Sequence, residues 1–220
     1  MKNLGSKIFF LIVSVLILSC NKNDETATTP TNQNFFNLNV GNKWVYKKYV
    51  NSFDNPTQFT FSGIVDTIKI ESLENIQGYT FAKKSSKKVN LNAGTIQPVT
   101  YSYVRINNAG HLIEILDDNN ISNDFNYIYN HNIEINNGGV EILGNIEYKL
   151  YESLNKVIEG NNYLVLPYKG VFTPSDNHPE LISKTVEYDY SQNIGLVRFI
   201  CHYLNTNFSW EERLVEYQLN

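Results

Sequence analysis

The 220-residue sequence contains few cysteines, few basic residues and few long apolar runs. It has two cysteines, one methionine, six prolines and two tryptophans. Its 18 basic residues are outnumbered by 22 acidic ones, for a formal charge of −4. This balance argues against a nucleic-acid binder, which would carry a basic patch. After the N-terminus no apolar run reaches the ~20 residues that a transmembrane helix requires.

Aromatic residues and asparagine are abundant instead. The chain has 15 Tyr and 12 Phe, and about one residue in seven is Asn. Tyr and Phe favour strands, and Asn favours the turns between them. Hydrophobic residues make up 42% of the chain, which is enough for a real core. The length fits one domain or two small ones.

The N-terminus has the features of an export signal. Lys2 and Lys7 precede an apolar run at residues 8–18, which is too short to span a bilayer but suits a signal peptide. The run ends at Ser19-Cys20 and resembles a bacterial lipobox, which implies that Cys20 carries a lipid after residues 1–19 are removed. The alternative is an ordinary cleaved signal with a structural cysteine. With Cys20 lipidated, Cys201 would have no disulfide partner.

Residues 20–34 are predicted to be a flexible lipidated tether, because their side chains are almost all polar and cannot form a core. Residues 21–25 resemble the export signal of Bacteroidetes surface lipoproteins. We therefore expect a protein anchored to the outer membrane by its lipid. Surface display and the periplasmic leaflet both remain open.

Residues 35–220 are predicted to form a single antiparallel β domain of about ten strands. Apolar and polar residues alternate along 140–150, which is typical of a strand with one solvent-exposed face. The alternating apolar residues are Val140, Ile142, Ile146, Tyr148 and Leu150. Turn signals recur every 8–15 residues, which suits a meander forming a half-barrel, a barrel or a sandwich. The predicted strands are 43–53, 59–71, 99–106, 111–116, 125–129, 133–135, 140–150, 163–172, 185–190, 195–204 and 208–219.

Three local patterns make sharper predictions. Gly63 is predicted to form a bulge that turns Phe59 and Phe61 to the face of Ile64 and Ile68. In residues 163–172 apolar side chains occupy both the even-numbered and the odd-numbered positions, as in a strand covered on both faces. Residues 209–219 fit either a strand or a capped helix, and the neighbouring strands favour a strand.

Two motifs resemble those of known proteins. Residues 36–46 contain GNKWVY and residues 188–198 contain IGLVR. Both are similar in sequence, order and separation to motifs of uncharacterised secreted lipoproteins of Bacteroidetes. The resemblance implies a β-rich, membrane-anchored protein and supplies no catalytic residues.

Catalytic patterns are absent from the sequence. It contains no HExxH, Gly-x-Ser-x-Gly, P-loop or dinucleotide fingerprint. Cys201 and His202 are adjacent and would therefore point to opposite faces of a strand. Cys201 shares its parity with Val197 and Phe199, which predicts a buried, inert thiol. We predict neither an enzyme nor a cofactor.

Other polar segments are interpreted as surface structure. Asp117, Asp118 and Asp124 offer oxygen ligands for Ca²⁺, but they lack the glycine and glutamate of an EF-hand, and a solvated turn is favoured. The loop at 173–180 could bind a ligand or metal through Asp176, His178 and Glu180, although a plain surface loop is the simpler interpretation. No metal site is predicted.

Aromatic side chains are the candidate ligand-binding residues: Tyr101, Tyr103, Tyr127 and Tyr129. Tyr stacks on sugars or peptides and offers a polar tip for hydrogen bonds. Core filling is the simpler account of these residues. The sequence thus predicts an accessory lipoprotein that binds glycan, lipid or protein and no nucleic acid. The alternatives are a structural envelope component and, with less support, a hydrolase.

Overall fold

The described part of the chain is built from β-strands. The computed structural model describes residues 35–108, 112–116, 125–127, 131–136, 141–204 and 206–220. These residues form fourteen strands and no helix. The strands are β1 (Lys43–Asn51), β2 (Phe59–Ile76), β3 (Tyr79–Asn90), β4 (Thr95–Ile96), β5 (Thr100–Ile106), β6 (Leu112–Ile115), β7 (Phe125–Tyr127), β8 (His131–Asn136), β9 (Ile142–Leu150), β10 (Leu154–Ile158), β11 (Asn161–Pro174), β12 (Lys184–Ser191), β13 (Gly195–His202) and β14 (Ser209–Gln218).

All fourteen strands belong to one open sheet. The strand order is β7-β6-β5-β3-β2-β1-β14-β13-β12-β11-β9-β8, with β4 beside β3 and β10 beside β11. Every ladder within the described residues is antiparallel. The first strand pairs with the last, and this β1–β14 ladder joins the two halves of the sheet. The all-β antiparallel prediction is confirmed.

The predicted central strand and the uncertain last strand are both confirmed. In β11 the consecutive residues Val165, Leu166, Pro167 and Tyr168 are all buried, so both faces of this strand are covered. The segment that could have formed a helix is β14, which pairs with both β1 and β13. Pairing on two sides satisfies its backbone hydrogen bonds along the ladders.

Two irregularities decide which side chains share a face. At Gly63, where φ is 85°, the β1–β2 register shifts between the pairs Lys47–Val65 and Tyr49–Phe61. The bulge is confirmed, but it adds two residues to β2. Phe61 therefore keeps the face opposite to Ile68, and the predicted change of facing is wrong.

The second bulge lies in β13. Asp189 pairs with Arg198 while Tyr190 pairs with Leu196, so Val197 is the extra residue. Leu196 consequently shares a face with Tyr190 and, across the bulge, with Phe199. Phe199 and Cys201 pair with Tyr188 and Val186 and therefore share a face, as the sequence predicts.

The largest buried cluster links strands from both halves of the sheet. It contains Trp44, Tyr46, Ile70, Ala82, Val104, Ile158, Tyr163, Val165, Val197 and Leu214. A second cluster is formed by Phe35, Leu166, Tyr168 and Tyr190. Since Val104 and Val165 lie on strands well separated in the sheet order, the sheet must curve to bring them into one core.

Candidate ligand-binding site

The first cavity, of about 220 Å³, lies where the curved sheet brings its two halves together. One wall is formed by β1 and β2, with Ile68 and Ile70, and the other by β12 and β13, with Tyr190 and Leu196. Most of its lining is apolar. The lining residues are Phe36, Asn37, Leu38, Trp44, Tyr46, Ile68, Ile70, Lys84, Val104, Leu112, Glu114, Tyr188, Tyr190, Gly195 and Leu196.

Two buried aromatic residues of β1 fix the walls of the first cavity to each other. The Trp44 indole N–H donates to the Ile194 carbonyl at 2.7 Å, and the Tyr46 hydroxyl donates to the Leu196 carbonyl at 2.8 Å. Burial, together with nearby carboxylates, raises the pKa of Tyr46 far above its ordinary value, so the phenol stays protonated as a donor. The two bonds join β1 to the β12–β13 hairpin.

The segment before β1 covers the first cavity. Phe36 packs edge-on against Tyr190, with the ring centroids 5.3 Å apart. The buried Asn42 amide donates to the Asn37 carbonyl at 2.9 Å and holds the segment in place. The two motifs at residues 36–46 and 188–198 therefore contact each other around one cavity.

One end of the first cavity is polar but electrically balanced. The Lys84 ammonium lies 2.5 Å from Glu114 Oε1, and the Ser102 hydroxyl donates to the same oxygen at 2.6 Å. Because the two charges neutralise each other, this end offers no excess charge to a ligand. The geometry suits an apolar group.

The second cavity, of about 310 Å³, lies on the same face between β9, β11, β12 and β13. Its walls are mainly apolar, with Lys184 and His202 among the exceptions. Tyr188 lines both cavities, so they adjoin at this ring. The lining residues are Ile135, Ile146, Tyr148, Gly170, Phe172, Lys184, Thr185, Val186, Tyr188, Phe199, Cys201, His202 and Leu204.

Gly170 shapes the floor of the second cavity. A Cβ at this position would lie 2.6 Å from Tyr148 Cε1, 2.7 Å from Ile146 Cγ2 and 2.8 Å from Val186 Cγ1. These contacts are too short for real carbon atoms, so the three side chains can converge there only because residue 170 has no side chain.

A row of aromatic rings crosses five neighbouring strands on this face: Tyr148, Tyr168, Tyr188, Phe199 and Trp210. Successive ring centroids lie 5.3, 5.9, 4.7 and 4.9 Å apart. Cross-strand aromatic pairs of this kind stabilise a sheet. At the end of the row the Lys48 ammonium lies 4.0 Å from the Trp210 ring centroid.

Cys201 and His202 do not form a nucleophile–base pair. Burial raises the pKa of the half-buried Cys201 thiol, which opposes formation of the reactive thiolate. The His202 Nδ1 atom lies 2.6 Å from the hydroxyl of Ser209 on the neighbouring strand. Burial, and secondarily Lys184, lowers the pKa of His202, so its ring is neutral near pH 7.

The opposite face of the same strands carries an ion-pair network. Asp189 has no exposed surface, and its carboxylate accepts hydrogen bonds from Lys156 at 2.8 Å and from Arg198 at 2.7 Å. Arg198 also bonds Glu187 at 2.9 Å. The network includes four cations and four carboxylates: Lys156, Lys169, Arg198 and Arg213 with Glu159, Glu187, Asp189 and Glu211.

Tyr101 and Tyr103 lie away from both cavities. They share a face of β5, and the Lys83 ammonium lies 5.1 and 5.7 Å from their ring centroids. Tyr103 is buried, whereas Tyr101 is 50% exposed. Because Val104 lines the first cavity, its chain neighbour Tyr103 points to the other face of the sheet.

The other predicted site residues are only partly covered by the described structure. Tyr127 belongs to β7, and nothing is concluded about its side chain. Cys20 and Tyr129 lie outside the described residues, as does the turn at 117–124.

The loop at 173–180 brings two of its predicted polar residues together. His178 is buried, and its Nδ1 lies 2.9 Å from Glu180, while its Nε2 lies 3.1 Å from Glu141. The described residues contain no group of three side chains suited to a metal ion. In the same part of the chain, no helix is both long and apolar enough to span a bilayer.

Sequence reasoning missed Lys184, Val186, Tyr188 and Tyr190 as lining residues. They alternate along β12, and this period-two pattern was the signal that could have found them. The pattern shows that the residues share a face, but it does not show that β13 and β1 complete a cavity over them.

Comparison with known proteins shows a likeness in fold. No protein-family model matches the chain, and no curated protein matches it. A crystal structure of a candidate lipoprotein from Parabacteroides distasonis matches with a TM-score of 0.51 at 14% identity, covering 84% of this chain and 99% of the other. A candidate exported protein of Bacteroides fragilis with a YmcC-like fold gives a TM-score of 0.49 at 12% identity, covering 85% and 100% of the two chains. The first likeness shows that the chain shares this lipoprotein's fold.

Proposed function

We propose that this protein is a non-catalytic envelope lipoprotein whose β domain, at residues 35–220, binds the alkyl part of a lipid. The N-terminal sequence supports the anchor, with signal peptide 1–19, lipidated Cys20 and a tether at 20–34. The fold shared with a candidate lipoprotein of Parabacteroides distasonis is consistent with this class.

The observation that carries the ligand proposal is the pair of adjoining apolar cavities. Typical small-molecule sites measure ~300–1,000 Å³. The first cavity, at about 220 Å³, lies below this range and the second, at about 310 Å³, at its lower end, but both are lined by Tyr188. A glycan would need an exposed aromatic platform with many hydrogen-bonding groups. The apolar lining of both cavities favours an alkyl chain over a glycan or a protein segment.

Binding of N-phenyl-1-naphthylamine, a neutral apolar dye that fluoresces on leaving water, tests the ligand proposal. The full-length Cys20→Ala chain should enhance its fluorescence with saturation. Leu196→Trp in that background should weaken binding, because the larger side chain occupies the first cavity. Val157→Trp is the matched control, since Val157 is 73% exposed and lines neither cavity.

Two outcomes would contradict the ligand proposal. One is no saturable enhancement in the folded protein. The other is an equal response of the Leu196→Trp and Val157→Trp variants. Either result would favour the alternative of a structural envelope component without a small ligand.

The anchor is tested separately in cells. Metabolic labelling with an alkyne palmitate analogue should mark the native chain and not Cys20→Ala. Continued labelling of the variant would overturn the assignment of Cys20. Loss of the protein after proteinase treatment of intact cells would support surface display, and survival until lysis would place it in the periplasmic leaflet.

A further inference from the structure

We infer that the ligand is an anionic amphiphile with an alkyl chain, whose head group binds Lys184 and whose chain passes Tyr188 towards Trp44. This inference rests on the proposed binding of an alkyl chain and adds its head-group chemistry and its direction. A carboxylate or a phosphate would satisfy the same site.

The length of the face matches an alkyl chain. Lys184 lies in the second cavity and Tyr190 in the first, and both belong to β12. Lys184 and Tyr190 are six positions apart in the strand, which corresponds to ~20 Å at ~3.3 Å per residue. One leaflet of a bilayer core is ~15 Å deep, half of the ~30 Å total. The distance along β12 between the two ends therefore matches the length of a full alkyl chain.

The charges of the two ends differ and set the direction. Lys84, in the first cavity, is paired with Glu114 at 2.5 Å. Lys184 makes no ion pair with any described residue, and the lining of the second cavity contains no carboxylate. An ammonium beside apolar walls attracts an anion more strongly than one in open water.

Among the residues that the structure describes, the groups around Lys184 leave this positive charge uncompensated. Its neighbours in the second cavity, Cys201 and His202, are both uncharged near pH 7. The closest carboxylate in sequence, Glu187, lies at the opposite parity of β12 and is engaged by Lys169 at 3.1 Å and Arg198 at 2.9 Å. An anionic head group is the missing partner.

Head-group preference is measured by displacement of the naphthylamine dye from the full-length Cys20→Ala chain. Palmitate and palmitoyl lysophosphatidate are compared with the neutral hexadecanol. We expect the better anionic ligand to bind at least about tenfold more tightly than hexadecanol, as one charge-assisted contact implies. Whichever of the two binds better identifies the head group as carboxylate or phosphate.

Two lysine variants separate the head-group contact from general charge. Lys184→Gln should lower the affinity for the better anionic ligand to about that for hexadecanol. The affinity for hexadecanol itself should stay unchanged. Lys149→Gln is the matched control, because Lys149 lies next to Tyr148 in β9 and points away from the cavities. It should retain the full preference.

Orientation is measured with palmitate brominated at its terminal carbon, since bromine quenches a tryptophan that it contacts. The chain has two tryptophans, and Trp210→Phe leaves Trp44 in the first cavity as the reporter. We expect strong quenching relative to unbrominated palmitate. Tight binding without quenching would overturn the proposed direction.

The results separate the two proposals. If the dye binds but palmitate, lysophosphatidate and hexadecanol show equal affinity, the head-group inference is wrong and the apolar-ligand function stands. An unchanged preference in Lys184→Gln would also overturn it. If the dye and all three amphiphiles fail to bind the folded protein, both proposals are wrong.

Discussion

Replacing Asp189 with asparagine tests whether the ion-pair network stabilises the sheet. The carboxylate is fully buried and holds Lys156 and Arg198 at 2.8 and 2.7 Å. Asparagine keeps the shape of the side chain but removes its charge. Its NH₂ group would also face one of the two cations. The substitution therefore removes the carboxylate closest to both cations and leaves them only Glu187 as a shared partner.

The magnitude follows from the burial of the three groups. Breaking a buried ion pair by removing one member costs ~3–5 kcal/mol. The side chains of Lys156 and Arg198 retain 22% and 23% exposure, so water offsets part of this loss, and we expect about 3 kcal/mol. For a chain of this size each kcal/mol lowers Tm by ~2–4 °C, which gives a decrease of about 6–12 °C.

Thermal and urea unfolding followed by circular dichroism would measure this loss. Glu147→Gln is the control, because its pair with Lys149 at 2.8 Å is about half exposed and should contribute ~0–1 kcal/mol. A decrease in Tm for Asp189→Asn no larger than that of the control would refute the reasoning. The urea m value should stay constant if the native sheet is preserved.

Three further predictions concern other parts of the fold. Tyr46→Phe should lower the free energy of unfolding by about 1–2 kcal/mol in urea titrations, because the Leu196 carbonyl loses its donor; an unchanged value would contradict this. Gly170→Ala should lower Tm through overpacking of about 1–3 kcal/mol against Tyr148, and a neutral effect would show that the floor can move. The hydrogen bond with Glu180, and secondarily the charge of Glu141, raises the pKa of His178 above its ordinary 6.5. The stabilisation that protonated His178 contributes to the folded protein is therefore complete below about pH 6.5. It is lost as the pH rises through the raised pKa that His178 has in the folded state. The Tm advantage of wild type over His178→Gln should accordingly shrink as the pH rises above about 6.5, and a constant advantage would contradict the assignment.

Three strands, β3, β10 and the two-residue β4, were missed because their sequences show no clear apolar alternation. β3 contains Lys83, Lys84, Lys87 and Lys88, and its run of charges hides any alternation. In the structure Lys83 pairs with Glu74 at 3.2 Å, and Lys84 pairs with Glu114 at 2.5 Å. β10 has five residues and is held by pairing with β11. Local periodicity cannot reveal strands whose polar side chains are satisfied across the sheet.

The candidate site was predicted less well than the fold. The sequence offered tyrosines as candidate ligand-binding residues, with core filling as the simpler account, and Tyr101 and Tyr103 do share a face of β5. The apolar cavities lie on the other face, lined by side chains that the sequence suggested only as strand residues. An alternating pattern identifies which residues share a face of a strand, but not which face of the sheet carries a cavity.

The sequence by itself determined the strand-rich class and the two motifs that begin and nearly end the β region. These depend on local chemistry, namely apolar alternation and turn residues. Only the tertiary structure decided that the motifs meet. Pairing of β1 with β14 and curvature of the sheet bring Trp44 to Ile194 and Tyr46 to Leu196, each 150 residues apart in the chain. Such contacts depend on how the open sheet curves over its whole width, which no local pattern specifies.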